Sequence, residues 1–136
     1  MKYIKKFESV DRDDSLELKE ELSHTLGDVM DSFSIKNLTF KIYTKSELYK
    51  ELKATGEGSA YLYSSIENSR VVIFFHVLPL NKSRIYTVTL DEKIKAHEES
   101  INILKDIDVS IKRIDPKFNI SKVTISEKGG YFIIIE

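Results

Sequence analysis

The most apolar run of the chain, VVIFFHVLPL (Val71–Leu80), carries one histidine. An imidazole in such a run can serve as a general base, ligate a metal or give one polar atom to a partner. Its neighbours decide which. RVVIFFHVL (Arg70–Leu78) reads as a strand, and AYLYSSI (Ala60–Ile66) reads as its antiparallel neighbour across the turn ENSR. Pro79 ends the ribbon. With Asn68 and Ser69 as a two-residue loop, Ile66 faces Val71, Tyr63 faces Phe74 and Tyr61 faces His76. One side then carries Ala60, Leu62, Ile66, Val71, Ile73, Phe75 and Val77, a core face. The other is mixed aromatic and polar, and Tyr61, Tyr63, Phe74 and His76 on it are the candidate binding residues. Tyrosines there would give rigid amphipathic contact area, and His76 a polar anchor. A Tyr–His cross-strand pair under a helix is the packing alternative.

Other constellations fail on spacing. DRDDSLELKEEL (Asp11–Leu22) starts like an EF-hand loop, but positions six and twelve hold Leu16 and Leu22 where glycine and glutamate are needed. GEGSAY (Gly56–Tyr61) starts like a dinucleotide fingerprint, but Tyr61 stands where the third glycine belongs, and a strand is expected to follow it. His24 and His97 lie on expected helices, outside any HExxH pattern. SRVVIFFHV has the aromatics of an RNA-recognition strand but not its glycine. No catalytic residue, metal site or cofactor is therefore assigned.

The totals narrow the classes further. The 136 residues suit one domain, 1–136, with 41% hydrophobic and 32% charged content. A net charge of -1 disfavours a nucleic-acid partner, which would require phosphate charge to be neutralised. The absence of cysteine removes disulfides, thiol nucleophiles and thiolate metal sites. No apolar stretch approaches the roughly 20 residues of a membrane span, and no apolar segment follows the basic start MKYIKKFESV as in a signal peptide. The expectation is a cytoplasmic protein without a membrane partner.

These candidates must be positioned by the surrounding elements. Leu18, Leu22, Leu26, Val29 and Phe33 make one apolar face of a helix over Ser15–Phe33, with Asp14 and Glu17 as a capping pair. LTFKIYT (Leu38–Thr44) alternates as a half-buried strand. Thr44 with Glu47 opens a short helix to Ala54, and TGEG breaks it. RIYTVTL (Arg84–Leu90) is expected to be a strand. Thr89 with Glu92 opens a long helix to Ile114, whose apolar side is Ile101, Leu104, Ile107, Ile111 and Ile114. Asp115-Pro116 stops it. NISKVTIS, a KGG turn and YFIIIE close the chain as a hairpin, with the last strand inside the sheet. Hairpins dominate over βαβ units. The expected class is α+β: a mainly antiparallel sheet of five or six strands, with two longer helices and one short helix packed on one face. FSIKNLTF (Phe33–Phe40) and FNISKVTI (Phe118–Ile125) repeat Phe, Ile and Thr at one spacing before a strand, an echo that duplication or chance explains equally.

The opening MKYIKKFE (Met1–Glu8) resembles the start of many small reading frames of tailed bacteriophages. The resemblance implies synthesis in a bacterial host cytoplasm, as a virion part or an accessory protein. It covers those residues only and carries no functional residue over. Without a catalytic constellation, the leading expectation is a non-enzymatic protein-interaction module that binds a protein partner or itself through the aromatic hairpin face. A small-ligand or nucleotide binder, or an enzyme, with a cleft at Tyr61 and His76 is the alternative. A single-stranded nucleic-acid binder is the third.

Overall fold

Thr39–Thr44 (β1), Val71–His76 (β2), Ile120–Ile125 (β3) and Tyr131–Ile135 (β4) form one antiparallel sheet in the order β1-β2-β4-β3. The computed structural model describes residues 10–56, 58–77, 89–115, 120–125 and 130–136. Among the described residues, five helices accompany the sheet: α1 (Val10–Thr25), α2 (Gly27–Ile35), α3 (Lys45–Thr55), α4 (Ala60–Ile66) and α5 (Leu90–Ile114). The class is α+β, as the hairpin-rich pattern implies. Four strands are described, not five or six. The strand expected at Arg84–Leu90 falls mostly outside the described residues, and its last two positions, Thr89 and Leu90, are the cap and first residue of α5.

The helices cover both faces of the sheet, not one. Val71, Ile73, Phe75, Tyr131, Ile133 and Ile135 meet α1, α2 and α5 on the first face, through Leu18, Leu22, Leu26, Phe33, Ile103, Ile107 and Ile111. Val72 and Ile134 meet α3 and α4 on the second, through Leu48, Leu52, Leu62 and Ile66. The reason lies in the two central strands. VVIFFH and YFIII are apolar at successive positions, and side chains alternate between faces. Burying both sets takes two layers of helix.

The other difference is Ala60–Ile66, which is helix α4 and not a strand. Leu62 and Ile66 are four residues apart, a spacing that suits one side of a strand and one face of a helix alike. The choice is made locally by Ser59, whose hydroxyl caps the helix by accepting from the Leu62 N–H at 3.1 Å. It is reinforced by burial of Leu62 and Ile66 against Leu48 and Leu52.

The remaining elements follow their sequence signals more closely. Thr44–Glu47 and Thr89–Glu92 are both capping boxes. Asp115 is extended and ends α5 as the following proline requires. Gly56 takes the left-handed conformation (φ 68°) that closes α3. The first helix is longer than its pattern and divided: α1 begins at Val10, which puts Asp14 inside it, and a new helix starts at Gly27. The echo segments occupy unlike places, since Thr39 opens β1 whereas Thr124 is next to last in β3.

Charges join the layers at one corner. The Lys19 ammonium on α1 lies 2.9 Å from both Glu47 oxygens at the start of α3. Burial raises the Glu47 carboxyl, but the Thr44 N–H and Lys19 outweigh it and hold the group below its ordinary value. Nearby, burial and then Glu51 and Glu47 push the Tyr43 phenol up to about 12, so it stays neutral.

Candidate functional site

The structure distributes the four expected binding residues over two elements. Tyr61 and Tyr63 ride on α4, and Phe74 and His76 on β2. The proposed hairpin register therefore does not form: β2 pairs with β1 and β4, and His76 stands opposite Thr39. Tyr61 is 73% exposed, whereas His76 is 2% exposed. The two side chains thus lie on separate elements in opposite environments. Tyr63 turns inward and stacks on Tyr49 of α3, with centroids 5.6 Å apart. Its ring lies so close to Gly58 that a Cβ there would come within 2.5 Å of it, so any other residue at 58 would displace the ring.

His76 is thus an enclosed histidine at the end of a central strand. His76→Ala should destabilise the fold by about 1–3 kcal/mol through its lost polar interaction and packing. Urea unfolding checks this. A midpoint equal to that of the unaltered chain would show that the enclosed ring carries no stability.

On the same face as His76, one row crosses the whole sheet: Lys41, Phe74, Phe132 and Thr124 are successive register partners. The Phe74 and Phe132 rings are 4.6 Å apart and half-buried. Lys41 is exposed beside them on β1. Phe132, with Tyr43 and Tyr63, borders the cluster under α3 and α4.

A second feature lies at the same edge and was not expected from the sequence. A groove of about 440 Å³ runs between α2 and β1, lined by Met30, Asp31, Phe33 and Ser34 on one side and Leu38–Lys41 on the other. Its shape is set by how α2 ends. Asn37 is left-handed (φ 56°), the Leu38 N–H donates to the Phe33 carbonyl at 2.8 Å and the Asn37 N–H to that of Ser34 at 3.1 Å. This is a Schellman ending with asparagine in the usual glycine place. It reverses the chain in two residues and lays β1 alongside the helix it has just left. The signal was present as Lys36-Asn37 between a helical and an alternating pattern, but the groove depends on the angle between the two elements.

Among the described residues, β1 hydrogen-bonds only to β2, so its outer edge carries backbone groups unpaired by any strand. The groove gives that edge an apolar floor, with one carboxylate and one ammonium at its rim. No three His, Asp or Glu side chains among the described residues come together as a metal would require. No described helix is long and apolar enough to cross a membrane.

Comparison with known proteins adds no identity. No protein-family model, curated protein or solved structure matches the chain.

Proposed function

We propose that the chain is a non-enzymatic protein-interaction module that takes an extended segment of a protein partner at the outer edge of β1. The observation that carries this reading is the groove beside that edge. A strand added to β1 would satisfy its free backbone groups. Alternate side chains of that strand would fall into the groove on one face and beside Lys41 and Thr39 on the other. Backbone pairing would supply affinity, and the groove would supply selectivity.

The aromatic residues take a supporting place in this reading. Phe74 and Phe132 lie one and two strands in from Lys41, and they stiffen the sheet behind the edge. Their rings are turned on each other at 4.6 Å, which uses aromatic surface that stacked bases would need. That geometry and the net charge of -1 favour a protein over a single-stranded nucleic acid. The exposure of Tyr61 and the enclosure of His76 weigh against a small-ligand cleft between them. The likeness of Met1–Glu8 to phage reading frames suits an accessory or virion protein, and those residues lie outside the described ones.

The test begins with a random linear peptide library panned on the full chain, followed by hydrogen exchange with the tightest peptide. Slowed exchange at the amides of Thr39–Thr44 is the expected result. Ser34→Trp, an exposed residue lining the groove, should fill it and weaken that peptide by tenfold or more, about 1.4 kcal/mol. Protection confined to other strands, or binding indifferent to Ser34→Trp, would defeat the reading.

A further inference from the structure

A different surface, at the opposite edge of the sheet, carries a second inference. Of the large apolar side chains left exposed among the described residues, most sit on α5 and β3. On α5, Leu90, Ile94, His97, Ile101 and Leu104 follow a four-three spacing, the seam pattern of one helix docked along another. Ile101 was expected on the inner side of this helix, yet it is 52% exposed. Ile107 and Ile111, expected on that side, do take the core, and Ile103 joins them.

The seam faces β3. Glu99 reaches back to Lys36, just beyond α2, at 3.5 Å, so that side of α5 looks toward α1 and α2. Ile101 is two residues on, about 200° round the helix, and looks the other way. His97, on the seam, meets the Tyr131 hydroxyl at 3.4 Å. The register partner of Tyr131 is Ile125 on β3, which is 62% exposed, and Val123 on the same face is exposed too. Helix seam and strand face together make one open apolar corner.

Charge identifies the occupant. Along the outer border of the seam, every seventh residue reads Asp91, Glu98, Lys105, Lys112. Helix-dipole complementarity accounts for an acid in the first turn and a base in the last, but Glu98 and Lys105 lie well inside the helix. Neither makes an ion pair among the described residues. A parallel copy of α5 would set like charges together. An antiparallel copy, related by a two-fold axis near Asn102, sets Glu98 against the partner's Lys105 twice, and brings Asp91 alongside the partner's Lys112, which within its own helix already pairs with Asp108 at 3.0 Å. We infer that this corner binds a second copy of the chain, with the two α5 helices antiparallel and each partner helix covering Val123 and Ile125. Such an interface is self-complementary, as a closed two-fold dimer must be. It is separate from the β1 edge and does not depend on it.

Sedimentation equilibrium on the full chain provides the test. The expected mass is twice the 15.7 kDa of one chain. Ile101→Asp should give a monomer with an unchanged far-ultraviolet circular dichroism spectrum, because the residue is exposed. Lys105→Glu should weaken the dimer roughly tenfold, since it turns two attractions into repulsions. The double variant E98K/K105E should restore it, which a merely structural fault would not allow. A monomeric unaltered chain at about 1 mM, where even a weak site would be substantially filled, would overturn the inference. So would a dimer that Lys105→Glu leaves untouched.

Discussion

Phe75→Ala is expected to destabilise the fold by about 3–5 kcal/mol. Phe75 is fully buried in the middle strand of the helix-covered first face. Its ring stacks with Tyr131 at 5.2 Å and lies parallel to Phe40 at 6.2 Å, which makes an aromatic row across β1, β2 and β4. Phe33 of α2 meets that row edge-on, at 6.1 Å from Phe75 and 5.1 Å from Phe40. Truncation would open a cavity against neighbours from two flanking strands and one helix, none of which can close it alone. A domain of this kind has only about 5–15 kcal/mol of net stability, so the loss is a large part of the whole. Guanidinium unfolding measures it as a shifted midpoint at constant slope. If the alanine variant does not fold, Phe75→Leu keeps most of the volume and should cost less. A loss below about 1 kcal/mol would mean that the ring is not the centre of the core. Phe74→Ala is the matched comparison: its ring is half-buried and meets one other ring, and its truncation should cost clearly less.

The second large effect tests the two-sided architecture. Ile134→Ala should cost about 2–5 kcal/mol. Ile134 lies on the opposite face of β4 from Ile133 and Ile135, fully buried among Leu48, Leu52, Leu62, Ile66 and Val72. In a sheet with helices on one face only, this side chain would meet water, and its truncation would stay within about 0.5 kcal/mol. The same unfolding experiment separates the two cases. The variant also reports on α3 and α4, because those helices bury their apolar residues against this position and Val72. Loosening them would expose Tyr63, whose stacking on Tyr49 depends on the same layer.

Several features could be read directly from the residues because they are local. The two Thr-to-Glu capping boxes each need four consecutive residues. The end of α5 needs only Asp115 and the following proline. The closing hairpin announces itself by two apolar runs around a glycine turn, and its last strand does lie inside the sheet. The number of helix layers was also legible in principle. YFIII and VVIFFH are apolar at successive positions, and a strand with one wet face alternates.

Ala60–Ile66 could not be settled in that way. The four-residue interval from Leu62 to Ile66 satisfies both periods, so the deciding terms were the Ser59 cap and the two leucines of α3. That one assignment determined the candidate site. Read as a strand, the segment places Tyr61 opposite His76; as a helix, it leaves Tyr61 in solvent and gives His76 a different neighbour, Thr39. The groove between α2 and β1 was beyond sequence reasoning for another reason. Its lining residues are ordinary members of a helix and a strand, and only the reversal at Asn37 makes them face each other.

The sequence by itself determined the α+β class, the caps, the long helix and the apolar central strands, because each rests on interactions within a few residues or on the period of burial. Tertiary structure alone decided that Ala60–Ile66 is a helix, that His76 is enclosed, that β1 and β3 are the outer strands among the described residues, and that most of the α5 seam is left exposed. Those outcomes depend on which surfaces meet, and the same periodic pattern serves a core, an edge or an interface until its partner is in place.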